Sequence, residues 1–282
     1  MVENKPWATV LAHLFLILGV AMVAFPIYVA FIASTHPAGS FVSGTMPLLP
    51  GGEFWNNYST VITEGRSRAG TPPIGLMLWN SLLMALAITF GKLAVSLLSA
   101  FAIVYFRFPF RMLFFWLIFM TLMLPVEVRI VPTFQVVADL GMLNSFAGLS
   151  IPLIASATAT FLFRQFFMTV PEEMLEAARV DGAGPFKFFK DILLPLSITN
   201  IAALFVIMFI YGWNQYLWPL LITTDQGYYT IVMGIQRMVT AGDSEPLWHL
   251  VMATVILAAL PPTLVILFMQ RLFVKGLTET EK

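Results

Sequence analysis

Long apolar stretches separated by short polar segments dominate the chain, and their lengths suit a lipid bilayer. A helix that crosses the hydrocarbon core of a membrane needs about 20 mostly apolar residues. The stretches that reach this length are 11–33, about 76–104, 112 to about 131, about 147–168, 201–223 and 248–270. Their apolar residues are continuous instead of alternating, which argues against transmembrane strands. The pattern predicts an all-α polytopic membrane protein with six transmembrane helices.

The first stretch is also long enough to be a retained helix. A cleaved signal peptide has an apolar core of about 7–15 residues. The stretch 11–33 is longer and is interrupted only by Pro26. We therefore expect it to remain in the protein as the first span.

The composition agrees with a membrane protein and excludes several other classes. Hydrophobic residues make up 59% of the chain and charged residues 11%, whereas a soluble domain has about 45–50% and about 25%. Cysteine is absent, the 3 histidines are scattered, and 15 basic residues balance 15 acidic ones. These counts exclude disulfides and argue against a metal site or a nucleic-acid partner. No metal and no cofactor is expected in this chain.

The distribution of cations between the loops predicts the orientation. Cytoplasmic loops of membrane proteins carry an excess of Lys and Arg. With both termini in the cytoplasm, the outer segments hold only Arg66, Arg68 and Arg237. The inner segments then hold Lys5, Arg107, Arg111, Arg164, Arg179, Lys187, Lys190, Arg271, Lys275 and Lys282. We predict that both termini are cytoplasmic and that residues 34–75 and 224–247 form outer loops. Trp55 and Tyr58 in the first of these loops suit the membrane interface.

Residues 169–200 are too polar to cross the membrane but are patterned like folded structure. Thr169 to Glu172 resembles a capping box with Pro171 in the first helical turn. Gly182 and Gly184 are expected to end the helix that follows.

A second short helix is predicted to begin at Pro185 and to end at Pro195. Phe186, Phe189 and Ile192 are spaced by three, so they are predicted to share one face. Two interpretations fit this segment: a surface element that another protein approaches closely, or a compact loop that only connects two spans.

A motif in this segment resembles a known family. The string Glu176-Ala-Ala-Arg-Val-Asp181-Gly182-Ala183, followed by Phe189, Ile192 and Leu194-Pro195-Leu196, resembles the EAA motif of permease subunits of ATP-binding-cassette (ABC) importers. Thr199 stands near a position where that family often has a further proline. This departure concerns the start of the fifth span and not the motif itself.

Other segments resemble one branch of the same family. The strings that begin at Arg164, Trp213 and Gln270 resemble the carbohydrate-uptake, maltose-permease-like branch. The strings 3–7, 123–132 and 155–168 are similar to permeases of sn-glycerol-3-phosphate importers. The resemblance implies transport of that substrate, with the same role for a sugar or oligosaccharide as the alternative. A secondary transporter is a distant alternative, because such a carrier needs no docking helix.

The resemblance also implies an architecture and a set of partners. It implies the type I ABC importer permease fold, with an N-terminal helix and outer loop at 1–75, a permease core at 76–272 and a cytoplasmic tail at 273–282. The EAA segment would dock on an ATPase, with the interface at Glu176, Ala177, Ala178, Asp181, Gly182, Ala183 and Pro195. The implied assembly contains a second permease, two ATPase subunits and a periplasmic binding protein in a bacterial inner membrane.

ATP hydrolysis is expected from partner subunits and not from this chain. Gly91 and Lys92 lack both the upstream glycine and the following Ser or Thr of a phosphate-binding loop. The chain is therefore expected to be a transport subunit without catalytic residues of its own.

Charged and amide residues within the spans are candidates for the translocation path. A charge at the centre of a transmembrane helix costs about 2.5–3.5 kcal/mol on insertion scales. Lys92, Glu127 and Arg129 are such candidates, the last two in a region between two prolines where a helix break is predicted. Pairing with other residues, or a place near the outer surface, fits Glu127 and Arg129 as well, and a position facing the partner permease fits Lys92.

The amides Asn214 and Gln215 fall within the fifth predicted span. Amides at membrane depth form hydrogen bonds between helices. They are expected either to line the path or to hold the two permeases together.

Overall fold

The computed structural model describes residues 6–41, 47–64, 70–121, 126–240 and 246–279. Every regular element in these residues is helical, which confirms the all-α class. In chain order the helices are α1 (Pro6–Ser34), α2 (Phe54–Thr63), α3 (Ile74–Tyr105), α4 (Arg111–Met120), α5 (Val126–Asp139), α6 (Phe146–Ser150), α7 (Ala157–Phe167), α8 (Glu172–Val180), α9 (Pro185–Phe188), α10 (Leu194–Leu196), α11 (Ile198–Trp213), α12 (Leu217–Ile222), α13 (Ile231–Thr240) and α14 (Trp248–Glu279).

Three of these helices, α1, α3 and α14, are long and apolar enough to cross a membrane by themselves. They coincide with the first, second and sixth predicted spans. An α-helix rises about 1.5 Å per residue, so about 20 residues match the hydrocarbon thickness. Most apolar side chains of α1 before Pro26 are more than half exposed, which leaves this helix free to contact lipid or another subunit.

The fourth predicted span is bent, and a second bend lies at Ser197, before the fifth predicted span begins. Segments Phe146–Leu153 and Ala157–Phe167 meet at 48°, and segments Pro185–Leu196 and Ile198–Trp213 meet at 73°. The fifth span was expected to run without interruption over 201–223, but α11 ends at Trp213 and α12 begins at Leu217. Counting each bent pair as one span gives up to five spans among the described residues.

The third predicted span corresponds to α4 and α5, which flank residues 122–125 outside the described part of the chain. Each of the two is shorter than a membrane span. The sequence predicted a helix break between Pro125 and Pro132. This prediction is wrong for residues 126–132, because α5 continues through Pro132. The hydroxyl of Thr133 donates to the carbonyl of Arg129 at 2.7 Å, next to the proline that lacks a donor.

Several cations behind the predicted orientation lie outside the described residues: Lys5, Arg66, Arg68 and Lys282, together with the side chains of Arg271 and Lys275. The orientation of the termini therefore stays a prediction.

The chain divides into two compact units. The first comprises Met1–Leu76 and Gly234–Leu260, and the second Met77–Met233 and Pro261–Lys282. The division predicted from the sequence, with boundaries at 75 and 272, follows the family resemblance and stays a prediction.

In the first unit, α2 is fixed to the end of α1 by buried hydrogen bonds. Asn57 Nδ2 donates to the carbonyls of Ser34 and His36, both at 2.9 Å. The hydroxyls of Tyr58 and Ser34 are 3.0 Å apart. Burial raises the pKa of Tyr58, although the Ser34 hydrogen bond partly opposes the rise. Tyr58 is therefore buried in the protein, whereas Trp55 is 82% exposed, and their place at the membrane interface stays a prediction.

In the second unit, α3 and α11 approach closely at a glycine. A Cβ atom built on Gly212 would lie 2.9 Å from Ala85 Cα and 3.3 Å from the Ala85 carbonyl oxygen. Real Cβ atoms do not come this close to backbone, so a side chain at 212 would separate the two helices. Small residues at such crossings are typical of membrane helix packing.

We predict that Gly212→Ala destabilises the protein by about 1–3 kcal/mol, because overpacking forces backbone shifts. The measurement is thermal unfolding of the purified protein in detergent. Gly75→Ala is the control, because a Cβ at Gly75 has nothing within 4 Å and alanine favours a helix. Equal melting temperatures for the two variants would contradict the tight crossing.

Candidate functional site

A cavity of about 280 Å³ lies within the second unit. It is formed by residues of α3, α5, α11, α12 and the segment that precedes α7. Its lining consists of Lys92, Arg129, Ile130, Thr133, Pro152, Leu153, Ala155, Tyr211, Gln215, Leu217 and Trp218. The structure therefore brings three of the five predicted path residues, Lys92, Arg129 and Gln215, to one place.

Lys92 lies in the middle of α3 and is only 6% exposed. Its Nζ is 3.5 Å from the centroid of the Tyr211 ring, a cation–π contact between α3 and α11. Among the described residues, no hydrogen bond or ion pair reaches this ammonium. The charge is thus largely removed from bulk water, and within the described part of the chain it meets an aromatic face.

Other buried polar side chains of α3 have hydrogen-bond partners in the protein. Asn80 donates to the carbonyls of Gly227 and Tyr229, and Ser81 accepts from the Ile231 amide. Buried polar groups are normally paired in this way. Lys92 differs from them, which marks it as a functional candidate and not a structural one.

Arg129 adds a second positive charge to the same cavity. It lies on α5, is exposed, and its guanidinium repels the Lys92 ammonium electrostatically. No acidic side chain occurs among the described residues that line the cavity. The side chain of Glu127, another predicted path residue, lies outside the described part of the structure. The described lining therefore attracts anions.

The two amides differ in position. Gln215 lies in the break between α11 and α12, lines the cavity, and donates from Nε2 to the Tyr211 carbonyl at 3.1 Å. Asn214 caps the end of α11, is exposed and does not line the cavity. The helix break, which the sequence pattern did not show, is what turns Gln215 toward the cavity.

Two contacts fix the cavity wall. The Trp218 indole N–H donates to the Gly148 carbonyl at 3.0 Å, which ties α12 to α6. A Cβ on Gly91 would lie 2.5 Å from Ile154 Cγ2, so Gly91 lets α3 approach the segment that carries the lining residues Leu153 and Ala155. The position of Lys92 thus depends on a glycine directly before it.

The EAA segment forms a helix and a left-handed turn. After α8, Gly182 has φ +73°, which favours glycine strongly. Its N–H donates to the Arg179 carbonyl at 3.0 Å, and the Ala183 N–H donates to the Ala178 carbonyl at 2.8 Å. This hydrogen-bond pair is the Schellman arrangement at a helix C-terminus. The predicted stop at Gly182 is confirmed.

The start of α8 differs from the expected capping box. Pro171 is the N-cap and makes no side-chain cap bond, and the Thr169 hydroxyl donates back to the Phe166 carbonyl at 2.7 Å. The capping-box prediction is wrong because the preceding turn competes for the hydroxyl.

The coupling segment, defined here as residues 169–200, has an exposed face and a buried face. Glu176, Ala177, Asp181, Gly182 and Pro195 are exposed, whereas Ala178 is buried and Ala183 half-buried. The exposed face also carries two large apolar side chains, Val180 at 88% and Phe186 at 75% exposure.

Phe186, Phe189 and Ile192 do not share one environment, because the helix widens to a π-turn over Phe189–Leu193. Phe188 and Phe189 are buried, and Phe186 points to solvent. The single-face prediction is therefore wrong for Phe186.

An aromatic cluster joins the buried face to the membrane helices. The rings of Phe189 and Phe101 lie 4.9 Å apart, and those of Phe188 and Tyr105 lie 5.2 Å apart. The Tyr105 hydroxyl donates to the Phe167 carbonyl at 3.2 Å. Leu204 and Met208 of α11 belong to the same buried cluster.

Consequently the cavity and the coupling segment share two helices. On α3, Lys92 precedes Phe101 by about 13 Å of helix. On α11, Met208 in the cluster is one turn from Tyr211 in the cavity. A shift of the coupling segment would therefore act directly on the helices that hold the cavity.

Sequence reasoning missed Tyr211 and Val180. Tyr211 is remote from Lys92 along the chain, so no local pattern pairs them. Val180 is an apolar residue in a polar segment, and that contrast was the available signal.

Comparison with known proteins gives the family. Residues 92–279 match the family described as "Binding-protein-dependent transport system inner membrane component". The chain is 59% identical to the sn-glycerol-3-phosphate transport system permease protein UgpE of Agrobacterium fabrum and 57% identical to that of Pectobacterium atrosepticum. Both alignments cover 100% of each chain.

The fold is similar to that of a solved ABC transporter. A crystal structure of a bacterial ABC transporter involved in the import of the acidic polysaccharide alginate matches with a TM-score of 0.79 at 18% identity. The match covers 96% of this chain and 98% of the other. The expected type I ABC importer permease fold is thereby confirmed, and the chain belongs to the inner-membrane permease components of binding-protein-dependent transport systems.

Proposed function

We propose that this chain is a permease subunit that carries sn-glycerol-3-phosphate across the inner membrane by ATP-driven alternating access. The full-length similarity to permeases named for that substrate supports the proposal. The observation that carries it is the cavity in which Lys92 and Arg129 meet without an acidic partner among the described lining residues.

The charge of the cavity suits a phosphate monoester. Such a group carries about −1.5 to −2 charges at pH 7 and three acceptor oxygens. Guanidinium and ammonium groups bind these oxygens with charge-assisted hydrogen bonds, and Arg can do so bidentately. Gln215 and Thr133 offer polar partners for the hydroxyls of a glycerol moiety.

The size of the cavity favours a small substrate over an oligosaccharide. Ligand pockets range from about 300 to 1,000 Å³. The cavity of about 280 Å³ lies just below this range. The resemblance to carbohydrate permeases thus reflects common architecture, and the substrate assignment rests on charge and size.

The exposed face of the coupling segment supports the proposed partners. We assign this face, with Glu176, Ala177 and Asp181, to an ATPase subunit, with the buried Ala178 and half-buried Ala183 as its support. Val180 and Phe186 provide apolar area for such a contact. The full assembly would contain a second permease, two ATPase subunits that hydrolyse ATP, and a periplasmic binding protein. Both termini would face the cytoplasm.

The proposal predicts that Lys92→Met and Arg129→Gln each lower uptake of labelled sn-glycerol-3-phosphate about tenfold or more. A hydrogen bond to a charged group contributes about 1.5–3 kcal/mol, and 1.4 kcal/mol corresponds to tenfold. The measurement uses the complete importer in vesicles with its binding protein. Arg111→Gln is the control, because Arg111 lies at the start of α4 and does not line the cavity.

Stability serves as an internal check on the same variants. Lys92→Met is expected to leave the melting temperature unchanged, because no anionic partner of the ammonium occurs among the described residues. Normal uptake by both variants would overturn the role of the cavity. Uptake of a neutral sugar in place of sn-glycerol-3-phosphate by the wild-type importer would overturn the substrate.

A second prediction concerns coupling. Gly182→Val is expected to raise the number of ATP molecules hydrolysed per substrate transported, because a β-branched residue at φ +73° is strained and distorts the turn after α8. Gly184→Val is the matched control, since Gly184 has φ −71° and an open Cβ position. A wild-type ratio in an intact complex with Gly182→Val would show that this turn is not needed for coupling.

A further inference from the structure

The Tyr211 ring occupies one side of the Lys92 ammonium inside the cavity. The distance of 3.5 Å from Nζ to the ring centroid is well within the range of a cation–π interaction. Both residues line the cavity, and Tyr211 is half-buried. An ammonium group has three donors, so the ring face leaves donors available toward the cavity.

Two effects oppose a fixed position of the Lys92 side chain. The Arg129 charge repels Lys92, and lysine has a flexible stem of four carbons that loses much rotamer freedom when it is fixed. A partner that holds the ammonium in place removes part of this cost before the substrate arrives. The Tyr211 ring makes such a contact with Nζ.

We propose that Tyr211 is a positioning residue, whose ring holds the Lys92 ammonium so that its free donors face the phosphate of the substrate. This inference rests on the proposed function and adds to it a residue that selects for an anion. A neutral sugar would gain little from the positioned ammonium, whereas a phosphate gains a charge-assisted hydrogen bond. The ring contributes through its face, and the hydroxyl is not required.

The main variants are Tyr211→Phe, which keeps the ring, and Tyr211→Leu and Tyr211→Met, which remove it. They are tested in the complete importer in vesicles at saturating loaded binding protein, with labelled sn-glycerol-3-phosphate. Tyr211→Phe should transport within about twofold of the wild type. The two nonaromatic variants should lose roughly fivefold or more of the transport turnover. Tyr216→Leu is the control, because Tyr216 is half-buried nearby but does not line the cavity.

A double-mutant cycle separates positioning from structural support. If the ring acts through Lys92, the variant that combines Lys92→Met with Tyr211→Leu should be no slower than Lys92→Met alone. Additive losses, equal losses in Tyr211→Phe and Tyr211→Leu, or faster uptake in Tyr211→Leu would each overturn the inference. Substrate-independent ATP hydrolysis and subunit content report assembly, and if Tyr211→Leu fails to assemble, Tyr211→Met carries the cycle.

The outcomes also separate this inference from the proposed function. A wild-type importer that takes up no sn-glycerol-3-phosphate overturns the proposed function and the inference with it. A wild-type importer that takes it up, with Tyr211→Leu and Tyr211→Met equally active, overturns the role of Tyr211 alone.

Discussion

The second unit has to accommodate a buried positive charge, the ammonium group of Lys92. An ammonium at membrane depth is costly unless something compensates it. Here the Tyr211 ring compensates part of this cost on one side of the ammonium. The cavity lies next to the same group. The tight packing of Gly212 against Ala85 brings α3 and α11 close enough for this contact, and that of Gly91 against Ile154 places α3 against the cavity wall. Charge, ring and cavity therefore depend on the same helix crossings.

The aromatic cluster around Phe101, Tyr105 and Phe189 gives the coupling segment a rigid attachment. Close-packed interiors transmit displacement instead of absorbing it. Because α3 and α11 extend from this cluster to the cavity, a movement imposed on the exposed face of α8 has a short physical route to Lys92 and Tyr211. The proposed coupling thus has a physical route through two shared helices.

Interruptions in the helices have a local physical reason. The widened turn at Phe189–Leu193 precedes Pro195, and the bend at Ser197 is stabilised by its hydroxyl, which bonds to the Leu193 carbonyl at 2.5 Å. The break after Trp213 places Gln215 where its amide bonds to the Tyr211 carbonyl. Irregular backbone at membrane depth is tolerated where it lines a cavity, which describes the break at Gln215.

The sequence by itself determined the all-α membrane class, three full-length spans, the turn at Gly182 and the family. These features depend on long apolar runs, on a glycine that suits a positive φ, and on a dense motif. Each of these signals lies within one continuous stretch of the chain. The tertiary structure decided the breaks in the fifth span, the burial of Tyr58 and Ala178, the exposure of Phe186, and the meeting of Lys92, Arg129 and Gln215 with Tyr211. Those features depend on which helices pack together, and residues remote along the chain leave no local pattern that could reveal it.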